Sequence, residues 1–159
     1  MREEPLFVKF LNGQISYLQI IDVVIETSKD GKSKSIAESK KDSNIDMSLF
    51  REDFQKVVLD LIDNGINQRV INYLNSYMKP SLEEFVESPG GSRVNESRYV
   101  SIKADDAPWL EAILCYNLCI FIKVYGFKEI KQCAQCGKFF SHKGQYAKYC
   151  SDSCKAVGN

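Results

Sequence analysis

Between Glu4 and Thr27 the chain sets Leu6, Phe7, Val8, Phe10 and Leu11 ahead of Ile15, Leu18, Ile20, Ile21, Val23, Val24 and Ile25. The β-branched content predicts strands, with Asn12-Gly13 as the turn between two runs. A helix starting near Ile15 competes, and the period does not separate the two. Residues 28–44 then turn almost wholly to Ser, Lys, Asp and Glu around an isolated Ile36. So little apolar surface predicts a mobile, solvated loop over 28–45, its lysines facing water rather than a polyanion.

From Asp46 a helical period takes over. Leu49, Phe50, Phe54, Val57, Val58, Leu61 and Ile62 share one face, with Ser48 as N-cap and Gly65 as the stop. A second helix, from Asn67 to Met78, presents Val70, Ile71, Leu74 and Tyr77 before Pro80 ends it. The two form an antiparallel core hairpin about Asn64-Gly65. A DNA-reading helix-turn-helix fits less well, because the second helix offers only Arg69 as a cation before Lys79.

A short acidic helix over Ser81–Glu87, a loop over Ser88–Ser92 and a strand over Arg98–Lys103 are predicted next. The run from Trp109 to Tyr125 is apolar on nearly every face, capped by Asp105 or Asp106, with Pro108 in its first turn and Gly126 beyond it. Such a helix is either central in a core or membranous. Glu111, Asn117 and Lys123 interrupt it, so it reads as a buried central helix, with no membrane span and one side free for a homodimer contact. Cys115 and Cys119, one turn apart on it, read as packing residues.

Composition adds three constraints. An apolar fraction of 44% with 11% aromatics supports a real core and excludes general disorder. The opening MREEPLFVKFLNGQ has no apolar secretory region, so a cytoplasmic, reducing setting is expected, with six cysteines as thiols or metal ligands. The net charge of zero conceals a contrast: residues 123–159 carry seven Lys against Glu129 and Asp152, a net of +5. The remaining 14 Lys/Arg and 19 Asp/Glu leave residues 1–122 at −5. Four thiolates with one zinc ion would bring the tail nearer +3, a mild field toward phosphate or an acidic partner.

Four cysteines fall in the pattern C-x2-C-x13-C-x3-C at Cys133, Cys136, Cys150 and Cys154. The first pair suits a knuckle whose amides point at sulfur, with Gly137 supplying the permissive backbone. Ser151 and Asp152 read as first-turn residues, placing Cys150 at a helix start, where the thiolate is favoured, and Cys154 one turn on. Lys138 to Phe140 and Tyr146 to Tyr149 read as two strands about Lys143-Gly144. Knuckle, hairpin and helix make a treble-clef-like module holding Zn2+. A redox C-x2-C is the competing reading, weakened by the waiting second pair. His142 reads as a loop residue, since four sulfurs close the shell.

These residues carry a resemblance. Ile130-Lys-Gln-Cys133-x2-Cys136-Gly-Lys-Phe-Phe140 and Tyr149-Cys150-Ser151-x2-Cys154, behind a long apolar helix, resemble the C-terminal zinc finger of bacterial CGNR-type proteins from Asp105 onward. The second pair is one residue closer than that family's usual spacing. The resemblance implies an α-rich N-terminal domain before the finger and a role in transcription regulation.

The expected fold is therefore α-rich (α+β). A helical body over 1–127, with a small N-terminal strand region, precedes a four-cysteine zinc finger over 128–159. A nucleic-acid-binding regulator would lay Lys138, Lys143, Lys148 and Lys155 on phosphates. An acidic, zinc-stapled protein-interaction module or inhibitor is the alternative, with a protein partner whose nucleic-acid groove it could occupy. No catalytic Ser/His/Asp set, phosphate-binding glycine loop or second histidine is present, so an enzyme is not expected.

Overall fold

A computed structural model describes residues 4–27, 31–41, 46–77, 109–141 and 147–158. The expected elements between residues 78 and 108, together with His142, Lys143 and Tyr146, lie outside the described residues.

The first apolar run is helical, not extended. Helix α1 (Leu6–Leu11) buries Phe7, Val8, Phe10 and Leu11, the i, i+1, i+3, i+4 face of a helix. Asn12-Gly13 ends this helix instead of turning a hairpin. Gly13 N–H donates to Phe10 O at 3.0 Å and Gln14 N–H to Lys9 O at 2.9 Å, the paired bonds of a glycine C-terminal cap. Only Gly13 has positive φ, at 69°, whereas a tight hairpin on Asn-Gly needs it at both residues. Helix α2 (Tyr17–Thr27) opens on a reciprocal capping box: Ser16 Oγ accepts from Gln19 N–H at 3.2 Å, and Gln19 Oε1 accepts from Ser16 N–H at 2.8 Å. It buries Tyr17, Ile20, Ile21 and Val24, again at helical spacing. The predicted N-terminal strand region is thus two capped helices.

The expected loop over 28–45 also needs correction, because Gly31–Ser39 forms helix α3. It packs on α2 through fully buried Ala37, and Tyr17 Oη–H donates to Lys40 O at 3.2 Å beyond its end. Among the described residues, Ala37, the Tyr17 hydroxyl and an ion pair of Lys41 Nζ with Asp22 Oδ1 at 3.6 Å dock a segment whose composition looked unable to order.

Helices α4 (Ser48–Asn64) and α5 (Gln68–Asn75) pack as the expected pair. Gly65 (φ 76°) ends α4, and the Asn67 carboxamide caps α5 by accepting from Arg69 N–H and Val70 N–H at 2.9 and 3.2 Å. Phe50, Phe54, Tyr73 and Tyr77 join Phe10 in an aromatic cluster with ring centroids 5.3 to 6.4 Å apart. Arg51 Nε and Gln55 Nε2 donate to the last carbonyls of α1, Phe10 O and Leu11 O, at 3.0 and 2.8 Å.

Helix α6 (Trp109–Tyr125) is the central element, burying ten residues between Leu110 and Ile122. Its Asn117 Oδ1 accepts from Phe7 N–H at 3.0 Å, satisfying a donor at the start of α1. Among the described residues, no helix is long and apolar enough to cross a membrane.

A 3-10 turn (Phe127–Glu129) leads into strand β1 (Ile130–Gln132), antiparallel to β2 (Phe139–Ser141), with Ile130 opposite Ser141 and Gln132 opposite Phe139. The hairpin therefore brackets the first cysteine pair. The two strands expected about Lys143-Gly144 are not the pair formed: β2 turns back onto β1, and residues 147–149 are not a strand. Helix α7 (Asp152–Gly158) completes the described chain.

Candidate metal centre

The knuckle is built by backbone hydrogen bonds. Cys133 N–H donates to Lys138 O at 2.8 Å, and Gly137 N–H to Cys133 O at 3.1 Å, closing the loop between the strands. Gly137 sits at φ 79°, a conformation that a side chain disfavours. Ala134 N–H then donates to Lys148 O at 2.9 Å, bringing the chain before the second cysteine pair against the first. Two of the candidate phosphate-binding lysines thus shape the site through their carbonyls, while their side chains stay exposed.

Ser151 is the N-cap of α7, one position earlier than the first-turn placement predicted, and its Oγ accepts from Cys154 N–H at 3.2 Å. Cys150 therefore precedes the helix, and Cys154 lies in its first turn. Tyr149 covers the far end of α7 so closely that a Cβ on Gly158 would stand 2.6 Å from its ring.

These elements bring the four sulfurs within 4.8 Å of one another. Cys136 and Cys150 Sγ are 3.5 Å apart, and Cys150 and Cys154 Sγ 3.7 Å, with none of the four cysteines in a disulfide. A disulfide needs about 2 Å between sulfurs. A tetrahedron with metal–sulfur bonds of about 2.3 Å needs edges of about 3.8 Å. The spacing fits one tetrahedral ion, and zinc is the ion such shells usually hold. Four protein ligands would leave no position open to water or substrate, so the centre is suited to holding shape.

The surroundings of Cys133 and Cys150 act on their thiols in opposite directions. Burial pushes the Cys133 thiol up, but the amides of Cys136, Cys150 and Gln135 donate to it and together bring it down to about 6. Cys150 moves the other way, to about 12, through burial and the crowding of Cys136, Cys154 and Cys133. The helix-start argument had favoured thiolate at Cys150. The structure instead turns N–H groups and the Cys136 thiol toward Cys133, lowering it, while burial and the neighbouring thiols raise Cys150. A divalent ion replaces the shared protons and removes this competition.

Long-range contacts seat the module. The Asn12 carboxamide donates to Phe139 O at 2.9 Å and accepts from Phe139 N–H at 2.8 Å, acting as a one-residue strand beside β2. The Glu4 carboxylate accepts from Ser141 N–H and Ser141 Oγ–H at 3.3 to 3.5 Å. No local signal pointed to these partners, which are 127 and 137 positions apart in the chain.

Of the candidate phosphate-binding residues, Lys138, Lys148 and Lys155 are exposed, and Lys143 lies outside the described residues. Cys115 and Cys119 are fully buried, and burial pushes both thiols up, as expected of packing residues. Comparison with known proteins yields no match: no protein family, curated protein or solved structure aligns with the chain.

Proposed function

We propose that the chain is a nucleic-acid-binding regulator whose helical body carries a treble-clef-like zinc finger. The supporting observation is the outward display of Lys138, Lys148 and Lys155 on the module, against a body that is net negative. The metal supplies the shape of the module, and the lysines meet phosphate without reading sequence. Each phosphate contact adds about 0.9 to the salt dependence of binding, so affinity falls steeply as salt rises.

Fluorescence anisotropy with random duplex at about 50 and about 200 mM salt tests this reading. The expected result is salt-sensitive binding, with a slope reduced by about 2 in Lys138→Ala/Lys155→Ala. Absence of binding at the lower salt overturns it.

A second reading, an acidic module that binds or inhibits a protein partner, is favoured by the outer face of α4, where Glu52, Asp53 and Asp63 are exposed. That face could occupy a basic groove. It predicts a complex whose dissociation quickens in Glu52→Lys/Asp53→Lys, with no effect of the finger lysines.

A further inference from the structure

A cleft of about 480 Å³ lies where the end of α4 meets the cysteine module. Ile62, Phe127 and Ile130 line its apolar side, and Lys128, Lys131 and Lys148 line it as well. Lys131 Nζ is buried and has no hydrogen-bond partner in the described structure. An ammonium in that condition is costly unless an acceptor reaches it, and the four-carbon stem of lysine can turn it toward one. Glu129 is the acid whose charge acts on it. Phe127 is seated against Gly65, where a Cβ would stand 3.3 Å from its ring, so that glycine helps set the depth of the aromatic wall.

Cations beside an apolar, aromatic wall suit a ligand that carries a phosphate on one side and a flat ring on the other. The volume lies in the range of small-ligand sites. A paired base inside a duplex has both faces stacked and its edge engaged, whereas an unpaired base can enter a cleft and stack on a ring. We propose that this cleft binds one unpaired nucleotide, its phosphate held by Lys128, Lys131 and Lys148 and its base against Phe127. The proposal deepens the nucleic-acid reading and rests on it.

The test is anisotropy of a labelled thymidine oligonucleotide, about ten residues long, with the full zinc-loaded chain. Lys131→Met is expected to weaken binding about tenfold, a loss of about 1.4 kcal/mol. Lys131→Arg should keep most of the affinity, and Phe127→Leu should weaken it about fivefold or more through lost stacking. Lys138→Ala/Lys155→Ala, outside the cleft, should cost less than Lys131→Met. Circular dichroism and zinc content unchanged in Lys131→Met confirm that the site alone is altered; if that variant misfolds, Lys148→Met gives the same comparison.

Competition identifies the source of the ligand. Displacement by thymidine monophosphate but not by inorganic phosphate supports the site, and monophosphate affinity equal to that of the oligonucleotide makes a free nucleotide its source. Equal displacement by inorganic phosphate overturns the base contact and with it the proposal. Duplex binding with no single-strand loss in Lys131→Met and Lys148→Met overturns the cleft but leaves the regulator reading. Binding to neither nucleic acid overturns both.

Discussion

The body and the cysteine module are held together by different physics. In the body, α1, α4 and α6 bury Phe7, Phe10, Phe54, Leu114 and Leu118 to 1% exposure or less, and apolar area removed from water supplies the driving force. In the module, α7 buries no residue, and Cys136 is exposed. A few residues such as Ile130, Phe139 and Phe140 are buried there, too few to fix a knuckle and a short helix. The cysteines show the same contrast within one residue type. Burial pushes the Cys115 and Cys119 thiols up inside α6, whereas amides converge on Cys133 and bring its thiol down. Burial among apolar side chains makes a thiol inert, and converging amides make it a candidate ligand.

The sharpest way to break the comparison is to remove the metal. Elemental analysis should find one zinc per chain, and chelation or Cys133→Ser should abolish it and collapse the module, since structural zinc is worth about 10–16 kcal/mol in small fingers. Because Asn12 and Glu4 tie β2 to the body, the thermal melt of the body should shift as well. A body melt indifferent to chelation would separate the two regions completely. In the body, Phe54→Ala should cost about 3–5 kcal/mol in denaturant unfolding, because this fully buried ring meets Phe10, Phe50 and Tyr73. Zinc content should be unchanged in that variant under native conditions.

Asn12→Ala examines the joint itself. It leaves the Phe139 N–H and C=O without their side-chain partner, at a cost of about 1–3 kcal/mol. Hydrogen exchange should quicken at the Phe139 amide before it quickens in α6. Ser16→Ala removes one cap of α2 and should cost about 1 kcal/mol, with no effect on metal affinity.

The smallest effect concerns Glu111. Burial raises its carboxyl above the ordinary value of 4.5, so its stabilising contribution is complete below that pH and is lost as pH rises through the folded-state value. Glu111→Gln should therefore raise the melting temperature at about pH 7 and leave it unchanged at about pH 4. A rise at both would assign the gain to packing.

Legibility followed the range of the interactions. The pair α4–α5, its glycine turn and the apolar α6 were readable because glycine stops and period lie within a few positions, although Ser48, expected as the N-cap of α4, is its first helical residue behind Met47. The cysteine spacing likewise announced a shared site. The misreadings had local causes too. Asn12-Gly13 serves equally as a hairpin turn or a helix end, and the box Ser16-x-x-Gln19 is what decides for helix. In the 31–39 helix the buried residue among those described is Ala37, a side chain too small to stand out in a polar run.

The sequence alone determined the set of candidate metal ligands, because thiolates so closely spaced in pairs can share an ion with little help from the rest of the chain. It also marked where the central helix lies, since a run apolar on nearly every face belongs in a core or a membrane, and Glu111, Asn117 and Lys123 speak for the core. Tertiary structure decided which strand closes the knuckle, which distant amide joins those of the knuckle at Cys133, and how the module sits on the body. Those outcomes depend on the amide of Cys150 facing Cys133, and on Asn12 meeting Phe139. Such contacts exist only after distant segments have packed, so no local pattern records them.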